Sequence, residues 1–465
     1  MLSRRKFLKN TAAVTAGFYG LRSLIDGSVK ANDRALKVAG GYGDLLPDPS
    51  RVIDLPDGFS YQIISVSGRK MDDGFILPGL PDGMATFAGP DGLTILIRNH
   101  ELSPNGGGPF EGSKSLAQKI DPSKVYDTVH GKMTCGGGTT TVVFDTKKQR
   151  VVREYLSLTG TVRNCAGGPT PWNSWISCEE TILRAGVDTQ SNADLDHDHG
   201  YNFEVPASAE ISLADPVPLK AMGRFVHEAV AVDPKTSIVY QTEDEGDGAL
   251  YRFIPNEPEK LAAGGKLQVL KVRDKPSLDT RNWIDGSHNI AVGQLLDVEW
   301  LDLDDVEAPN GDLRHRSFDA GGARFARGEG IWYSPEGIFI ACTSGGIEKK
   351  GQIWKYIPSP HEGTADEQKA PGRLELFIEP NDSALVENAD NLTVSPWGDL
   401  MVCEDRTGDE VRLVGVTPQG KLYTFAHSHM RTEFAGAVFS PDGSTLFVNM
   451  QGKGFTLAIT GPWMG

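Results

Sequence analysis

The sequence predicts an all-β protein, a six-bladed β-propeller with insertions. Six segments of the chain repeat one hairpin pattern. Gly and Pro are abundant, at 54 and 28 residues, which suits many tight turns. After residue 31 no long stretch carries clean helical periodicity.

Each copy is an apolar strand, a turn containing Pro and usually Gly, and a second apolar strand ending in polar residues. The copies run Met84–Glu101, Cys165–Glu180, Glu228–Asp244, Glu329–Ser344, Asp390–Asp405 and Ala435–Gln451. Pro sets φ for the turn and Gly supplies positive φ. Short apolar runs flanking such a turn are hairpin signals. The turn prolines are spaced unevenly, from 45 residues (Pro396 to Pro441) to about 100 (Pro234 to Pro335). The shorter spacings fit one four-stranded blade, and the longer ones carry insertions.

The N-terminus reads as an export signal. Ser3-Arg4-Arg5-Lys6-Phe7-Leu8-Lys9 fills a twin-arginine pattern. The apolar stretch from Thr11 to Leu21 is too short to span a bilayer. Val29-Lys30-Ala31 offers small residues for cleavage. The expected organisation is therefore a signal peptide at 1–31 and a single propeller domain at 32–465. The twin-arginine translocase is the expected export partner, and the destination is the periplasm or the medium. A monomer is expected.

The formal net charge of −16 argues against nucleic acid and anionic membranes as partners. It suits a protein that holds cations. The five cysteines are Cys135, Cys165, Cys178, Cys342 and Cys403, with no Cys-x-x-Cys among them. Cys178, Cys342 and Cys403 sit in apolar runs and read as small core residues.

Aligned on their prolines, the copies place Met84, Cys165, Glu228, Glu329, Asp390 and Ala435 at one position, six residues upstream. Four of these are metal-ligand types. In a propeller the innermost strands surround the central axis, so equivalent positions converge at one mouth. A hairpin returns its second strand to the same edge. Those ends carry Glu101, Glu179, Glu180, Glu243, Asp244, Glu404 and Asp405. So many carboxylates cannot stay ionised together without cations. Carboxylates suit calcium, and a thiolate implies a softer metal such as iron.

Arg327 lies two residues before Glu329 and shares its strand face if both are extended. It is a candidate phosphate clamp or an ion-pair partner within the cluster. His227 and His100 adjoin carboxylates and could bind metal or phosphate, or serve as structural donors. The run Asp194 to Gly200 matches part of an EF-hand loop but lacks the closing Glu, and reads as a solvated polar loop.

These residues resemble the PhoX family of exported bacterial alkaline phosphatases. The matching motifs are Asn164-Cys165-Ala166-Gly167-Gly168 with Pro171-Trp172, Cys178-Glu179-Glu180-Thr181, and Gly223-Arg224-Phe225-Val226-His227-Glu228-Ala229. Arg327-Gly328-Glu329 and Asp390-Asn391-Leu392 match as well. The resemblance implies a six-bladed propeller whose mouth holds two ferric and three calcium ions with a bridging oxo group. It implies hydrolysis of phosphate monoesters. Cys165, Glu228 and Glu329 then look like iron-side ligands. Glu180, Asp390 and neighbouring carboxylates such as Glu101 and Glu243 look like calcium-side ligands. Arg327 looks like the phosphate clamp, with His227 beside it, and Cys165 and Arg327 carry the catalytic assignment. The chain is shorter than well-known members and resembles a short branch of the family. A calcium-dependent propeller lactonase and a non-catalytic, metal-stabilised binding propeller remain alternatives. Cys165 speaks against the lactonase.

Overall fold

The structure is a computed structural model that describes residues 41–464, apart from 112, 284–288 and 407. The predicted signal peptide lies outside the described residues. Among those described, the protein is all-β and propeller-like. Its helices are short: Lys114–Ala117, Leu313–Asp319 and several 3-10 turns. No described helix is long and apolar enough to cross a membrane.

Each hairpin copy opens on one strand: β1 (Pro81–Ala88), β2 (Asn164–Pro169), β3 (His227–Val232), β4 (Gly328–Ser334), β5 (Ala389–Val394) and β6 (Phe434–Phe439). Each pairs antiparallel with the second strand of its copy. Each also lies at the edge of its sheet. The six contact one another in a closed ring, β1 to β2 and onward to β6, which touches β1. The ring covers their open edges, which would otherwise offer unpaired backbone groups. The six copies occupy five sheets of three or more strands. The third and fourth copies lie at the two ends of one nine-stranded sheet, joined through Leu295–Asp302.

The circle closes between distant parts of the chain. Ser60–Val66 pairs antiparallel with Phe455–Thr460 and completes the four-stranded sheet that contains β6. Apolar clusters fill the spaces between sheets. One packs Met401, Phe425, Phe439 and Phe434 with Leu457 and Ile459.

Every strand of the ring carries the same irregularity. The ladder with its partner breaks between Pro81 and Met84, Asn164 and Gly167, His227 and Val230, Gly328 and Ile331, Ala389 and Leu392, and Ala435 and Val438. A bulge of this kind sets two residues opposite one and re-aims their side chains. The first residues within the six breaks are Asp82, Cys165, Glu228, Glu329, Asp390 and Gly436. The equivalent positions in the first and last copies are thus Asp82 and Gly436, not Met84 and Ala435. The turns of those two copies differ in length from the others, which shifts an alignment made on proline.

Small residues let the ring strands approach closely. A Cβ on Gly168 would lie 1.9 Å from the Val230 carbonyl oxygen, and one on Gly436 would lie 2.3 Å from that of Asp82. Gly436 also adopts φ of +61°, which favours glycine. Gly168→Ala must push β2 and β3 apart. It is expected to cost at least about 2 kcal/mol by urea unfolding, in the range of core overpacking.

Candidate metal centre

In five of the six copies the bulge directs a side chain toward the ends of the ring strands, and residues at the ends of the second strands join them. Three groups overlap there: Asp82 with Glu101 and Cys165, Cys165 with Glu180 and Glu228, and Glu228 with Glu329 and Asp390. Within each group one ligand atom per residue lies within 4.8 Å of the others. Cys165 and Glu228 each belong to two groups, so the donors form one continuous run across β1 to β5. The Cys165 Sγ donates to Glu228 Oε1 at 3.3 Å. Glu228 Oε2 is buried and has no hydrogen-bond partner.

These groups resist ionisation where they stand. Burial pushes the Glu228 carboxyl well above its ordinary value, and Glu180, Asp390 and Asp82 push it further. Burial acts the same way on Asp82, with Glu101 next in effect. It also raises Glu180, again reinforced by Glu101, and Glu329, reinforced by Asp244. Burial and then Asp82 raise the Cys165 thiol. Asp390 rises to about 7, through burial and then Asp405. Glu433 rises to about 8, through burial and then Asp390. Seven acidic groups held this way form a candidate site for cations.

Two guanidinium groups reach the cluster. Arg327 donates from Nε and Nη2 to Asp244 at 2.8 and 3.1 Å, from Nη2 to Glu329 at 2.6 Å and from Nη1 to Asp405 at 3.1 Å. Burial would lower its pKa, but Asp244, Glu329 and Asp405 outweigh that and raise it. Arg163 stands 3.3 Å from both Glu101 and Glu180. Arg163 and Arg327 occupy equivalent places, both left-handed at φ of 48° and 52°. Their carbonyls accept from the first residue after the partner strand, Glu180 and Thr343 respectively. Sequence reasoning singled out Arg327 and passed over Arg163, although each lies two residues before its ring-strand ligand. In the first copy the corresponding place is taken by Leu80, also left-handed at φ of 44°, whose carbonyl accepts from the Glu101 amide.

The acidic pairs at the second-strand ends divide their labour. Side chains alternate along a strand, so neighbours face opposite ways. The first member of each pair turns into its own sheet. Glu179 accepts from the Val162 and Gly200 amides at 2.9 Å each and from His199 Nδ1 at 2.6 Å. Glu243 accepts from the Ala249 amide at 3.1 Å and the Tyr251 hydroxyl at 2.9 Å. Glu404 accepts from the Glu387 amide at 2.7 Å and from Arg412 at 2.6 Å. The second members, Glu180, Asp244 and Asp405, reach Cys165, Glu228 or the guanidinium groups.

The structure therefore brings Cys165, Glu101, Glu180, Glu228, Glu329, Asp390 and Arg327 together, and it leaves Glu243 outside. Asp244 takes the place expected of Glu243. His227 also stays apart, cross-strand from Glu243 and facing away from Glu228. Its Nε2 donates to the Gly223 carbonyl at 3.0 Å, and its ring stacks on Phe225 at 3.6 Å. Burial pushes its pKa down to about 3, so it is neutral. His100 is likewise buried, bonded to the Gly79 carbonyl at 2.8 Å. The Asp194–Gly200 run is not a merely solvated loop, because His199 is fully buried between Glu179 and Asp127. Cys178, Cys342 and Cys403 are buried, as their apolar surroundings predict.

A model of the family described as alkaline phosphatase PhoX matches residues 40–454. Among solved structures, Pseudomonas fluorescens PhoX in complex with vanadate, a transition state analogue, aligns with a TM-score of 0.63 at 18% identity. The alignment covers 88% of this chain and 96% of that one. A gluconolactonase from Xanthomonas campestris aligns with a TM-score of 0.38 at 10% identity, over 90% of this chain and 98% of that one. The curated proteins contain no match. Family and fold together define the class, a phosphoric ester hydrolase on a propeller-like β frame. The chain belongs to the alkaline phosphatase PhoX family.

The raised carboxyls set a pH dependence for protein stripped of cations. Unfolded Asp and Glu titrate near pH ~4, while folded Asp390 and Glu433 hold their protons to about 7 and about 8. The folded state binds more protons, so their contribution is complete below pH ~4 and is lost as pH rises through 7 to 8. The thermal midpoint of chelator-treated protein is expected to fall across that window. Added calcium is expected to flatten the fall, as read by differential scanning calorimetry.

Proposed function

We propose that the protein is an exported phosphatase that hydrolyses small phosphate esters at a mixed iron–calcium cluster, in the mouth of a six-bladed propeller. The observation that carries this reading is the buried Glu228 carboxylate. One of its oxygens meets the Cys165 thiol and the other has no partner, amid Asp82, Glu180 and Asp390. An unpaired buried oxygen in such company is costly unless a cation completes it. The donor set fits both kinds of ion. Cys165, Glu228 and Glu329 would hold iron, since a thiolate favours the softer metal. Glu180, Asp390, Glu101 and Asp82 offer the oxygen-only donors that calcium takes.

Bound cations would supply Lewis-acid charge toward a phosphoryl oxygen. The chain's own residues supply orientation. Asp244 grips Arg327 through two hydrogen bonds and fixes the plane of the guanidinium. Asp405 takes one N–H of Nη1, which leaves the other for a phosphate oxygen. The vanadate complex of the Pseudomonas relative supports phosphoryl transfer chemistry at this fold. Reading the nine-stranded sheet as two blades gives six, one per ring strand. The twin-arginine leader at 1–31, the single domain at 32–465, the monomer and the periplasmic or secreted location complete the proposal.

The test is elemental analysis of protein exported by its own signal and purified without chelator, with p-nitrophenyl phosphate hydrolysis on the same sample. Iron and calcium with phosphate release are expected. Cys165→Ala should lose both iron and activity. Arg327→Met should keep its metals and lose about 10²- to 10³-fold in kcat/KM, the scale for one charge-stabilising donor. Calcium alone, or metals without hydrolysis of any phosphate ester, would overturn the reading.

A further inference from the structure

A second cluster of ligand-type side chains lies far from the ring. The strand Ile53–Pro56 lies near the outer edge of the sheet that begins with β5, between Leu45–Leu46 and Leu422–Ser428. That pairing is short, with Ile53 opposite Ser428 and Asp54 opposite His427. His427 and His429 are two residues apart, so they share a face, and Asp54 lies cross-strand on the same face. Asp54, His427 and His429 each offer one ligand atom within 4.8 Å of the other two. Three strand spacings separate Leu422–Ser428 from β5, roughly 14 Å.

The hydrogen bonds around the cluster leave one pair of facing groups unjoined. His427 Nε2 lies 2.7 Å from the Asp409 carbonyl oxygen, which can only accept, so Nε2 carries the proton. In the neutral ring Nδ1 then holds a lone pair. That nitrogen faces Asp54 Oδ2 at 3.6 Å, too far for a hydrogen bond and lone pair to lone pair. The other oxygen, Oδ1, is committed, accepting from the Asp48 amide at 2.7 Å and from His429 Nε2 at 2.8 Å, a proton that an ion bound at that nitrogen would displace. A carbonyl acceptor behind a histidine is the usual way a metal-binding imidazole is held in its tautomer and aimed. The side chains remain accessible, His427 at 25% and His429 at 21%.

We propose that Asp54, His427 and His429 bind a divalent transition metal of the zinc type, apart from the central cluster. Two imidazoles and one carboxylate are the donors such ions take, with water in a fourth position. The ion fastens the strand Ile53–Pro56 to Leu422–Ser428 and so supplements a two-residue ladder. It is a clasp on the N-terminal segment and takes no part in ester hydrolysis.

The test uses the exported, fully metallated protein, His429→Gln, and the double variant His427→Ala/His429→Ala. His429→Gln keeps a donor for Asp54 and removes a metal ligand, which separates loss of the ion from loss of a hydrogen bond. The thermal midpoint of the wild type is expected to climb with each tenfold rise in free zinc. Both variants should lose that response, bind one equivalent of cobalt less than the wild type, and keep their phosphatase activity. Equal zinc responses in all three proteins would place the ion elsewhere and overturn the proposal. A wild-type midpoint that moves with pH but not with zinc would show that a proton bridges Asp54 and His427, and would overturn it too.

Discussion

Like charges held close in a poorly solvated place must be neutralised, and the rest of this molecule is arranged around that requirement. Asp82, Glu101, Glu180, Glu228, Glu329 and Asp390 meet a thiol at the ends of the ring strands. As bare carboxylic acids most of them stay protonated above their usual range, because burial and mutual repulsion both oppose ionisation. The stability such a site takes from the fold can be returned by cations. Binding then strengthens the frame that built the site. A protein of this kind is more stable loaded than empty, and the two states differ most at alkaline pH.

The frame resists that repulsion through its backbone. Glu179, Glu243 and Glu404 sit beside Glu180, Asp244 and Asp405, which reach the cluster or Arg327, and turn the other way. Each is tied to main-chain amides or to a phenol, imidazole or guanidinium of its own sheet. These buried carboxylates anchor the ends of the second strands, and their neighbours gain a fixed direction. On the ring strands the bulge does the corresponding work, and the left-handed Arg163 and Arg327 precede it. Positive φ at a non-glycine residue costs of order 1 kcal/mol. At both positions the residue is an arginine that bridges carboxylates of neighbouring copies.

Much of this was legible in the sequence. The hairpin copies announce themselves by turn chemistry. Cys165, Glu228, Glu329 and Asp390 share one distance from their prolines, so their convergence follows from repetition alone. Other parts were not legible. Asp82 and Gly436 fall out of register with the prolines because the first and last turns differ in length, and a bulge leaves no mark on a linear pattern. Glu243 was preferred over Asp244 because a one-residue offset at a strand end exchanges the two faces, and composition does not say which face is inward. His227 has the residue type of a ligand, yet its surroundings, Phe225 and the Gly223 carbonyl, come from a turn whose geometry no spacing rule supplies. Arg163 was recoverable by carrying the Arg327 offset to every copy. The export signal rests on residues outside those described.

The pairing of Ser60–Val66 with Phe455–Thr460 has a temporal meaning. A growing polypeptide presents the first of these strands early and must wait for nearly four hundred residues before its partner leaves the ribosome. Until then Ser60–Val66 has no strand to pair with, and the sheet that contains β6 lacks its outer half. The circle of sheets is therefore closed only by joining two segments made far apart in time.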